Sequence, residues 1–378
     1  MANSITPNQI KQNNRNLIYQ YIYTNQTVSQ QDICSALHLS RPTVTGKLAE
    51  LEQEGLIARC GQIDSEYVGR KATAYGIVPN YRVSVGVEIR RREVKIIAID
   101  LYGSKIKRLA CPIAYTNSDA YFQEVCGEIL SFIGSLQLKS EQILGVGVAF
   151  QGLVAPDHNT VIYGKILNCT GLSTQAFTKY LPYPCAFFHD ADSAAVSELW
   201  VSPELKDGVY LSISRHLGAA IVRDGKILSG KHGHNATIEH IQMKPDGAAC
   251  YCGKRGCMET LCSLKALLHP EETLEAFFGQ LRSGDPACRQ RWDVFLTDLA
   301  ASINMLHLVH DTDFILGGYL APYLRQDDLA ALHEKIKALT PFPEPEDFIS
   351  ISKMPKHNIT IGAALPYVQE FLAQNTRS

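Results

Sequence analysis

The 378-residue sequence lacks a long apolar run, and its first residues lack the apolar stretch of a secretory leader. No segment approaches the ~18 consecutive apolar residues that a membrane-spanning helix needs. The sequence also lacks an excess of charge of either sign, because 36 Lys and Arg residues are balanced by 38 Asp and Glu residues. We therefore expect a cytoplasmic protein without a membrane partner, in which only local concentrations of charge indicate partners.

Eleven cysteines are present, but without an export signal they are not expected to form a disulfide framework. Clustered cysteines are candidates for metal ligands or reactive thiols, whereas isolated cysteines usually behave as small buried hydrophobic side chains. The isolated cysteines that we predict to be buried are Cys34, Cys60, Cys111, Cys126, Cys169, Cys185 and Cys288.

The first forty residues predict two helices. Residues 10–23 have an apolar face with helical spacing, formed by Leu17, Ile18, Tyr21 and Ile22. A polar break follows, and Ser29 is the predicted N-cap of a second helix, followed by Gln30-Gln31-Asp32, whose side chains can close the first turn. The predicted inner face of this second helix consists of Ile33, Ala36 and Leu37.

A third helix follows a short turn. Ser40 is its predicted N-cap, Pro42 lies in the first turn, where the missing N–H costs nothing, and Gly55 ends the helix. The helix turns Val44, Leu48 and Leu51 inward, at i, i+4 and i+7.

Two short helices joined by a tight turn, followed by strands at 56–59 and 72–77, predict a winged helix-turn-helix that binds double-stranded operator DNA. Residues 1–80 hold only seven basic and six acidic side chains, so a protein-interaction module is the alternative. The basic residues lie at the helix tip and the wing, which favours DNA. The predicted DNA-binding residues are Arg41, Pro42, Thr43, Thr45 and Lys47 on the recognition helix, and Arg70 and Lys71 on the wing.

A different pattern begins after Val78-Pro79-Asn80, which predicts a domain boundary between residues 80 and 81. Residues 81–378 alternate between strand and helix patterns, starting with a hairpin at 83–89 and 94–99. Further predicted strands lie at 142–150, 185–189, 208–213, 219–222 and 314–318. This is an α/β domain, long enough for two lobes with a cleft between them.

The densest local motif combines one histidine with three cysteines. His240 precedes Cys250, Cys252 and Cys257, and the intervening glycines permit the tight reversal that would bring three sulfurs together. Four such ligands predict a structural Zn²⁺ site, because a closed tetrahedral set leaves no open position for catalysis. The alternative is a coincidental cluster of buried cysteines.

With these motifs, residues 81–378 resemble the ROK family, which groups repressors, open reading frames and kinases. The resemblance rests on Ile238-Glu239-His240, the Cys-x-Cys-x-x-x-x-Cys segment and Met258-Glu259, with support from Gly147, Gly152, Asp190, Gly218 and Gly317-Gly318. It implies a two-lobed actin-like (ribonuclease H-like) sugar-kinase fold after the winged helix-turn-helix. The whole chain is similar to the family's repressors of the xylose and N-acetylglucosamine type, in which a sugar or a partner protein controls operator binding.

Two phosphate-binding loops depart from the pattern of the family's kinases. Where those enzymes have roughly Asp-x-Gly-Gly-Thr, this chain has Glu88-Ile89-Arg90-Arg91-Arg92, so long side chains replace the bare backbone that cradles phosphates. The second loop, Ser214-Arg215-His216-Leu217-Gly218, keeps one glycine. We therefore expect no phosphotransfer, although the arginines could hold an anion through charge. A sugar kinase is the alternative interpretation.

The resemblance implies that the sugar side of the cleft is retained for an effector. His189-Asp190 stands where the family has Asn-Asp, and Asp190 can still accept hydrogen bonds from sugar hydroxyls. Thr237 takes the place of a family carboxylate. Either that role has moved two residues to Glu239, which would reach the same face of a strand, or this sugar contact is lost. The predicted effector-binding residues are His189, Asp190, Glu239, His240, Glu259 and Asn168.

These predictions describe a repressor of carbohydrate-metabolism genes with a sugar or sugar-phosphate effector. The protein is expected to be a homodimer, or a tetramer, that binds palindromic operators. A regulator that binds a protein partner and no sugar is the third interpretation.

Overall fold

The computed structural model describes residues 6–63, 71–343, 348–354 and 356–376. The chain forms a small N-terminal unit followed by two lobes, each built on a five-stranded sheet. Among the helices in these ranges, none is both long and apolar enough to cross a membrane.

The N-terminal unit contains the three helices and the two wing strands that the sequence predicts. Ser29 and Asp32 form a reciprocal capping box, in which each side chain accepts a hydrogen bond from the other residue's backbone N–H. Ser40 caps the third helix by accepting from the N–H of Thr43. The elements are α1 (Pro7–Asn25), β1 (Val28–Ser29), α2 (Gln30–Leu37), α3 (Arg41–Gln53), β2 (Ile57–Ile63) and β3 (Ala72–Ile77), with strand order β1-β3-β2.

Two predicted core positions of this unit are wrong. Leu17 is 37% exposed, and Tyr19 is fully buried instead. Ala36 of α2 is also exposed, while Ile33 is buried as predicted. The buried face of α1 is rotated because this helix packs against the large domain as well as against α3, a contact that the helical pattern does not contain.

The contact between the N-terminal unit and the large domain is a continuous apolar core. The ring of Tyr23 stacks on that of Tyr102 at 5.0 Å, and the Tyr23 hydroxyl donates to the Leu101 carbonyl at 3.0 Å. Ile18 and Ile22 of α1 belong to the same buried cluster as large-domain residues Ile97, Ile99, Leu101, Ile361, Ala364, Leu365 and Val368. The N-terminal unit is therefore held against the large domain by the packing of apolar side chains.

The first lobe contains the predicted hairpin and two parallel strands. Its strands are β4 (Val83–Ile89), β5 (Val94–Ile99), β6 (Lys105–Cys111), β7 (Ile143–Phe150) and β10 (Cys185–His189), in the order β10-β7-β4-β5-β6. Strands β4, β5 and β6 are antiparallel, whereas β7 and β10 run parallel to β4. Outside this sheet lie β8 (Leu153–Val154), β9 (Val161–Tyr163), α4 (Asp119–Gly134) and α5 (Gln175–Thr178).

The second lobe repeats this topology. Its strands are β11 (Gly208–Ile213), β12 (Leu217–Arg223), β13 (Lys226–Ile227), β14 (Asp313–Gly317) and β15 (Ile349–Ile351), in the order β13-β12-β11-β14-β15. Three antiparallel strands followed by two parallel ones occur in both sheets, which is the ribonuclease H-like repeat that the resemblance implies. Its helices are α7 (Glu259–Cys262), α8 (Leu264–Leu267), α9 (Leu274–Ser283), α10 (Pro286–Val309) and α11 (Gln326–Lys337).

Two helices join the lobes to each other: α6 (Asp190–Val201) and α12 (Asn358–Thr376). Their backbones approach so closely at Gly362 that a Cβ there would lie 1.7 Å from the Ser193 carbonyl oxygen. Gly147 of β7 has the same role on the other side, since its Cβ would lie 1.8 Å from the Ala363 carbonyl oxygen. Because α12 also contacts α1, it links the body to the N-terminal unit.

The isolated cysteines follow the prediction with one exception. Cys111, Cys126, Cys169 and Cys288 are buried, and Cys34 and Cys185 are partly buried. Cys60 is exposed, because it lies on wing strand β2, most of whose residues have no covering layer.

Candidate functional site

The start of α3 is exposed, as a DNA-reading helix requires. Arg41, Pro42 and Thr45 are exposed, and Thr43 is partly buried beside the Ser40 cap, with 2.8 Å between the two hydroxyl oxygens. This end of the helix presents one long cationic side chain, Arg41, which can read a guanine edge bidentately.

Two other predicted DNA-binding residues, Thr45 and Lys47, are held in place by interactions within the N-terminal unit. The Thr45 hydroxyl donates to the Arg41 carbonyl at 2.8 Å and accepts from the Gln30 amide of α2 at 2.5 Å. Lys47 pairs with Glu50 at 2.5 Å, and only 16% of its side chain is exposed. Gln30, which the sequence pattern does not single out as a DNA contact, is therefore a partly buried partner of the exposed Thr45.

The wing is described only in part. Strands β2 and β3 pair antiparallel, and Lys71 is exposed at the start of β3. Arg70 lies outside the described residues.

The predicted metal ligands converge. One ligand atom from each of His240, Cys250, Cys252 and Cys257 lies within 4.8 Å of every other. The Sγ atoms of Cys252 and Cys257 are 3.8 Å apart, and Cys250 Sγ is 3.7 Å from His240 Nδ1. Tetrahedral zinc with its usual bond lengths would separate two sulfurs by about 3.8 Å and a sulfur from a nitrogen by about 3.5 Å. The four residues therefore have the spacing of a closed tetrahedral site.

The two ring nitrogens of His240 face opposite sides. Its Nδ1 points to the sulfurs, and its Nε2 lies 3.8 Å from Glu239 Oε1. The Tyr251 ring meets the imidazole edge-on at 5.0 Å. A metal on Nδ1 would leave the Nε2–H free to donate on the other side of the ring.

That other side is a pocket between the lobes that contains several ionisable groups. Asp190 begins α6 at the end of β10, and its carboxylate accepts from the Ala191 N–H at 2.9 Å. Burial raises the pKa of Asp190, and burial together with Glu259 and Asp190 raises the pKa of Glu239 to about 7. The lining consists of Gln151, Gly152, Leu153, Tyr163, Lys165, Ile166, His189, Asp190, His216, Leu217, Glu239, His240 and Tyr251.

The strand argument for Glu239 is wrong, although Glu239 does line the pocket. Residues Ile238–His240 form a 3₁₀ turn rather than a strand, so positions 237 and 239 do not share a face. The Thr237 hydroxyl donates to the His234 carbonyl, whereas Glu239 is buried at the pocket.

Two predicted effector residues do not line this pocket. Glu259 is buried behind it, where its carboxylate accepts from the Leu217 N–H and hydrogen-bonds His216 Nδ1, each at 2.7 Å. Asn168 is exposed, and its carbonyl accepts from the Asn117 amide. His216, Tyr163, Tyr251, Lys165 and Gln151 line the pocket instead. Spacing alone does not reveal these residues, because four separate segments of the chain supply them.

The turn that binds phosphate in kinases is filled by side chains. Arg90 uses its backbone N–H within the turn, where it donates to the Glu93 carbonyl at 3.0 Å. The Arg90 guanidinium donates to Glu93 Oε1 at 2.5 Å. The same guanidinium lies 5.0 Å from the centre of the Tyr319 ring. Glu88 is buried beside it, and burial raises the pKa of this carboxyl.

These features define a class of protein in which a winged helix-turn-helix unit precedes a two-lobed domain with a sugar-kinase-like fold. The chain belongs to the ROK family, whose model matches residues 84–369, and a MarR family model matches residues 18–60. The resemblance and the fold class predicted from the sequence are thus confirmed.

Among curated relatives, the DNA-binding transcriptional dual regulator NagC of Escherichia coli (strain K12) is 26% identical over 261 residues, which are 68% of this chain and 64% of NagC. The chain thus matches just under two thirds of the length of NagC. The xylose repressor of Bacillus subtilis (strain 168) is 24% identical over 274 residues, covering 70% of each protein.

Solved structures show the same fold. A ROK family transcriptional regulator, a homologue of the E. coli MLC protein, matches with a TM-score of 0.76 at 22% identity, covering 97% of this chain and 98% of that one. The ROK family glucokinase of Streptomyces griseus, in complex with glucose and AMPPNP, matches with a TM-score of 0.65 at 19% identity, covering 76% of this chain and 99% of that one.

Proposed function

We propose that this protein is a DNA-binding transcriptional regulator, a repressor of carbohydrate-metabolism genes, whose body binds a sugar-like effector and catalyses no phosphotransfer. The observation that carries the proposal is the pairing of an exposed recognition helix with a carboxylate pocket in a kinase-like cleft whose phosphate turn is filled. The names of the relatives, repressors among them, support the same assignment.

The effector would bind through polyol chemistry. Asp190 and Glu239 supply carboxylate oxygens that accept hydrogen bonds from sugar hydroxyls, and His240 supplies an Nε2–H that can donate. Glu259 acts through His216, whose ring it holds against the pocket. Of the predicted effector residues, His189, Asp190, Glu239 and His240 line the pocket. Glu259 contacts the pocket residue His216, and Asn168 lies outside the lining.

The structure offers a route from this pocket to the DNA head. Asp190 is the first residue of α6, α6 packs along α12, and α12 contacts α1. An effector that binds one arrangement of the lobes more tightly than another would favour that arrangement. The accompanying movement of α12 would then change the position of the N-terminal unit relative to the large domain. We take residues 1–80 as the DNA-binding domain and 81–378 as the sensor, with the shared core as the coupling element.

We also propose that Zn²⁺ occupies the Cys₃His cluster. The ligand spacing fits a tetrahedral ion, and the closed ligand set makes the metal structural. Bound there, it would hold the His240 ring in the tautomer that presents Nε2–H to the pocket. Two copies of the chain, in a dimer or tetramer, would place two heads on a palindromic operator.

The test of DNA recognition is a gel shift of the full chain on the DNA upstream of its own gene. Arg41→Ala removes the exposed cation of the recognition helix and should weaken operator binding by about 1–3 kcal/mol. Lys139→Ala, which removes an exposed lysine of the first lobe, is the control and should leave affinity unchanged. Equal affinity of the two variants would contradict the assignment of α3.

A sugar kinase is the second candidate, favoured by the shared fold with the glucokinase. A coupled ATP assay over a panel of hexoses and amino sugars decides between the two functions. We expect no turnover. Turnover that disappears in Asp190→Asn would establish the kinase instead.

A further inference from the structure

The hydroxyl of Thr45, on the exposed start of α3, makes two hydrogen bonds inside the N-terminal unit. It donates to the Arg41 carbonyl at 2.8 Å, one helical turn back, and it accepts from the Gln30 amide of α2 at 2.5 Å. The Gln30 amide also donates to the Arg41 carbonyl, at 3.3 Å, so it bridges both groups. These contacts fix the direction of the Thr45 hydroxyl within the N-terminal unit itself.

The two hydrogen bonds decide which part of Thr45 is left for DNA. A hydroxyl has one proton to donate, and the Arg41 carbonyl already accepts it. Thr45 therefore has no hydrogen bond to donate to guanine O6, to a purine N7 or to thymine O4, which are the acceptors of the major groove. The side chain is exposed all the same, and its other branch is the Cγ2 methyl group.

The position of Thr45 on α3 places this methyl group at the predicted DNA-binding surface. Arg41 lies four residues before Thr45, so both side chains share one face of the helix. Arg41 is the exposed cation that can contact a guanine edge, and a methyl group beside it offers apolar contact only. The apolar group on a base edge in the major groove is the 5-methyl of thymine.

We infer that Thr45 selects thymine in the operator through its methyl group, and that Gln30 is a positioning residue that holds the Thr45 hydroxyl away from the base edge. The inference rests on the proposed binding of operator DNA and names one base that this DNA contains. It also assigns a role to Gln30, which contributes to sequence preference through Thr45.

Replacement of thymine by deoxyuridine tests the inference, because the two bases differ only in the 5-methyl group. The full chain is titrated by fluorescence anisotropy with the segment upstream of its own gene that it protects from nuclease, and each thymine of this segment is replaced in turn. We expect one thymine in each half-site at which uracil weakens binding about fourfold, because burial of one methyl group contributes about that much to affinity. The ratio of the uracil to the thymine dissociation constant at this base is called the methyl ratio.

Two substitutions separate the methyl group of Thr45 from its hydroxyl. Thr45→Ser retains the hydroxyl and lacks the methyl group, so the methyl ratio should fall to about one. Thr45→Val retains the methyl group and lacks the hydroxyl, so the methyl ratio should stay at about four. Thr24→Ser, which removes an exposed threonine methyl group near the end of α1, is the matched control and should leave the methyl ratio unchanged.

Gln30→Met tests the positioning role, because methionine is of similar length and has no N–H group to donate. The Thr45 hydroxyl then loses one of the two bonds that fix it, so the methyl ratio should fall to about two although Thr45 is unchanged. A purely structural role would weaken binding to thymine and uracil DNA equally. An unchanged methyl ratio in Gln30→Met would therefore overturn the role of Gln30.

A full chain that binds no DNA from this region overturns the proposed function and the inference with it. Bound DNA in which no thymine responds to the replacement overturns the inference alone. A methyl ratio that persists in Thr45→Ser does the same, since another side chain then contacts the methyl group of the base. A methyl ratio that Thr45→Val abolishes also overturns it, since the hydroxyl then makes the contact.

Discussion

At the scale of single residues, the pocket is defined by where side chains are buried and which partners they face. The sequence identifies Asp190, His189, Glu239 and His240, and all four line one cavity. It does not reveal that Glu259 is turned toward His216, because that orientation depends on the packing of α7 against the β11–β12 turn. Chemistry was thus predictable by residue type, and side-chain direction was not.

His189 provides a pH prediction. Burial alone would lower its pKa, but the hydrogen bond and charge of Asp192 and the charges of Asp190 and Glu239 outweigh burial and raise it from 6.5 to about 9. Its stabilising contribution is therefore complete below pH ~6.5 and is lost as the pH rises through about 9. The free energy of unfolding of the protein minus that of His189→Gln should shrink over this interval in denaturant titrations, whereas a constant difference would contradict the charged state of His189.

The metal cluster yields a second prediction at this scale. Cys250→Ser or Cys257→Ser removes a thiolate from the four-ligand set, so bound zinc should fall from one ion per chain to nearly none in elemental analysis. The unfolding midpoint should drop by about 5 °C or more, because metal binding contributes to folding. Cys60→Ser, at an exposed position on the wing, should change neither quantity. Stoichiometric zinc in Cys250→Ser would refute the ligand set.

At the scale of elements, local signals predicted helices and strands well. Ser29 and Ser40 cap the helices that the sequence assigns to them, and Gly55 ends α3 with the positive φ of 77° that glycine favours. The errors occur where a neighbouring element decides. Tyr19 is buried in place of Leu17 because α1 packs on α12, and the 3₁₀ turn at 238–240 replaces the expected strand.

The crossing of α6 and α12 gives a prediction about coupling. Gly362→Ala would place a methyl group 1.7 Å from the Ser193 carbonyl oxygen, so the two helices would have to separate. We expect a loss of about 2 kcal/mol or more in the free energy of unfolding, measured by urea titration. In the control, Gly127→Ala at an exposed position of α4, the methyl group meets no atom within 4 Å outside the helix's own backbone, and helix propensity should raise stability by about 0.5–1 kcal/mol. Equal stability of both variants would show that the helices tolerate separation.

At the scale of the whole molecule, α6 and α12 join the two lobes, and we propose that the two-lobed domain acts as the sensor for the N-terminal unit. The Cys₃His cluster adjoins the carboxylate pocket through His240, α6 begins at Asp190 in the lining of that pocket, and α12 packs on both α6 and α1. The N-terminal unit and the large domain share a buried core, and we propose that a change in lobe arrangement reaches the DNA-binding helix through this core. The sequence predicted both parts but not this shared core, because it arises from contacts between residues far apart in the chain, such as Tyr23 and Leu101, which are 78 positions apart.

The measurement that tests the account most directly is the operator affinity of the full chain, by fluorescence anisotropy, with and without the best-binding sugar or sugar phosphate. The account predicts that the effector changes operator affinity about fivefold or more, the usual size of such coupling. It also predicts that Asp190→Asn abolishes this change while affinity without effector is retained. An operator affinity that no bound sugar alters, or a response that Asp190→Asn leaves intact, would contradict the account.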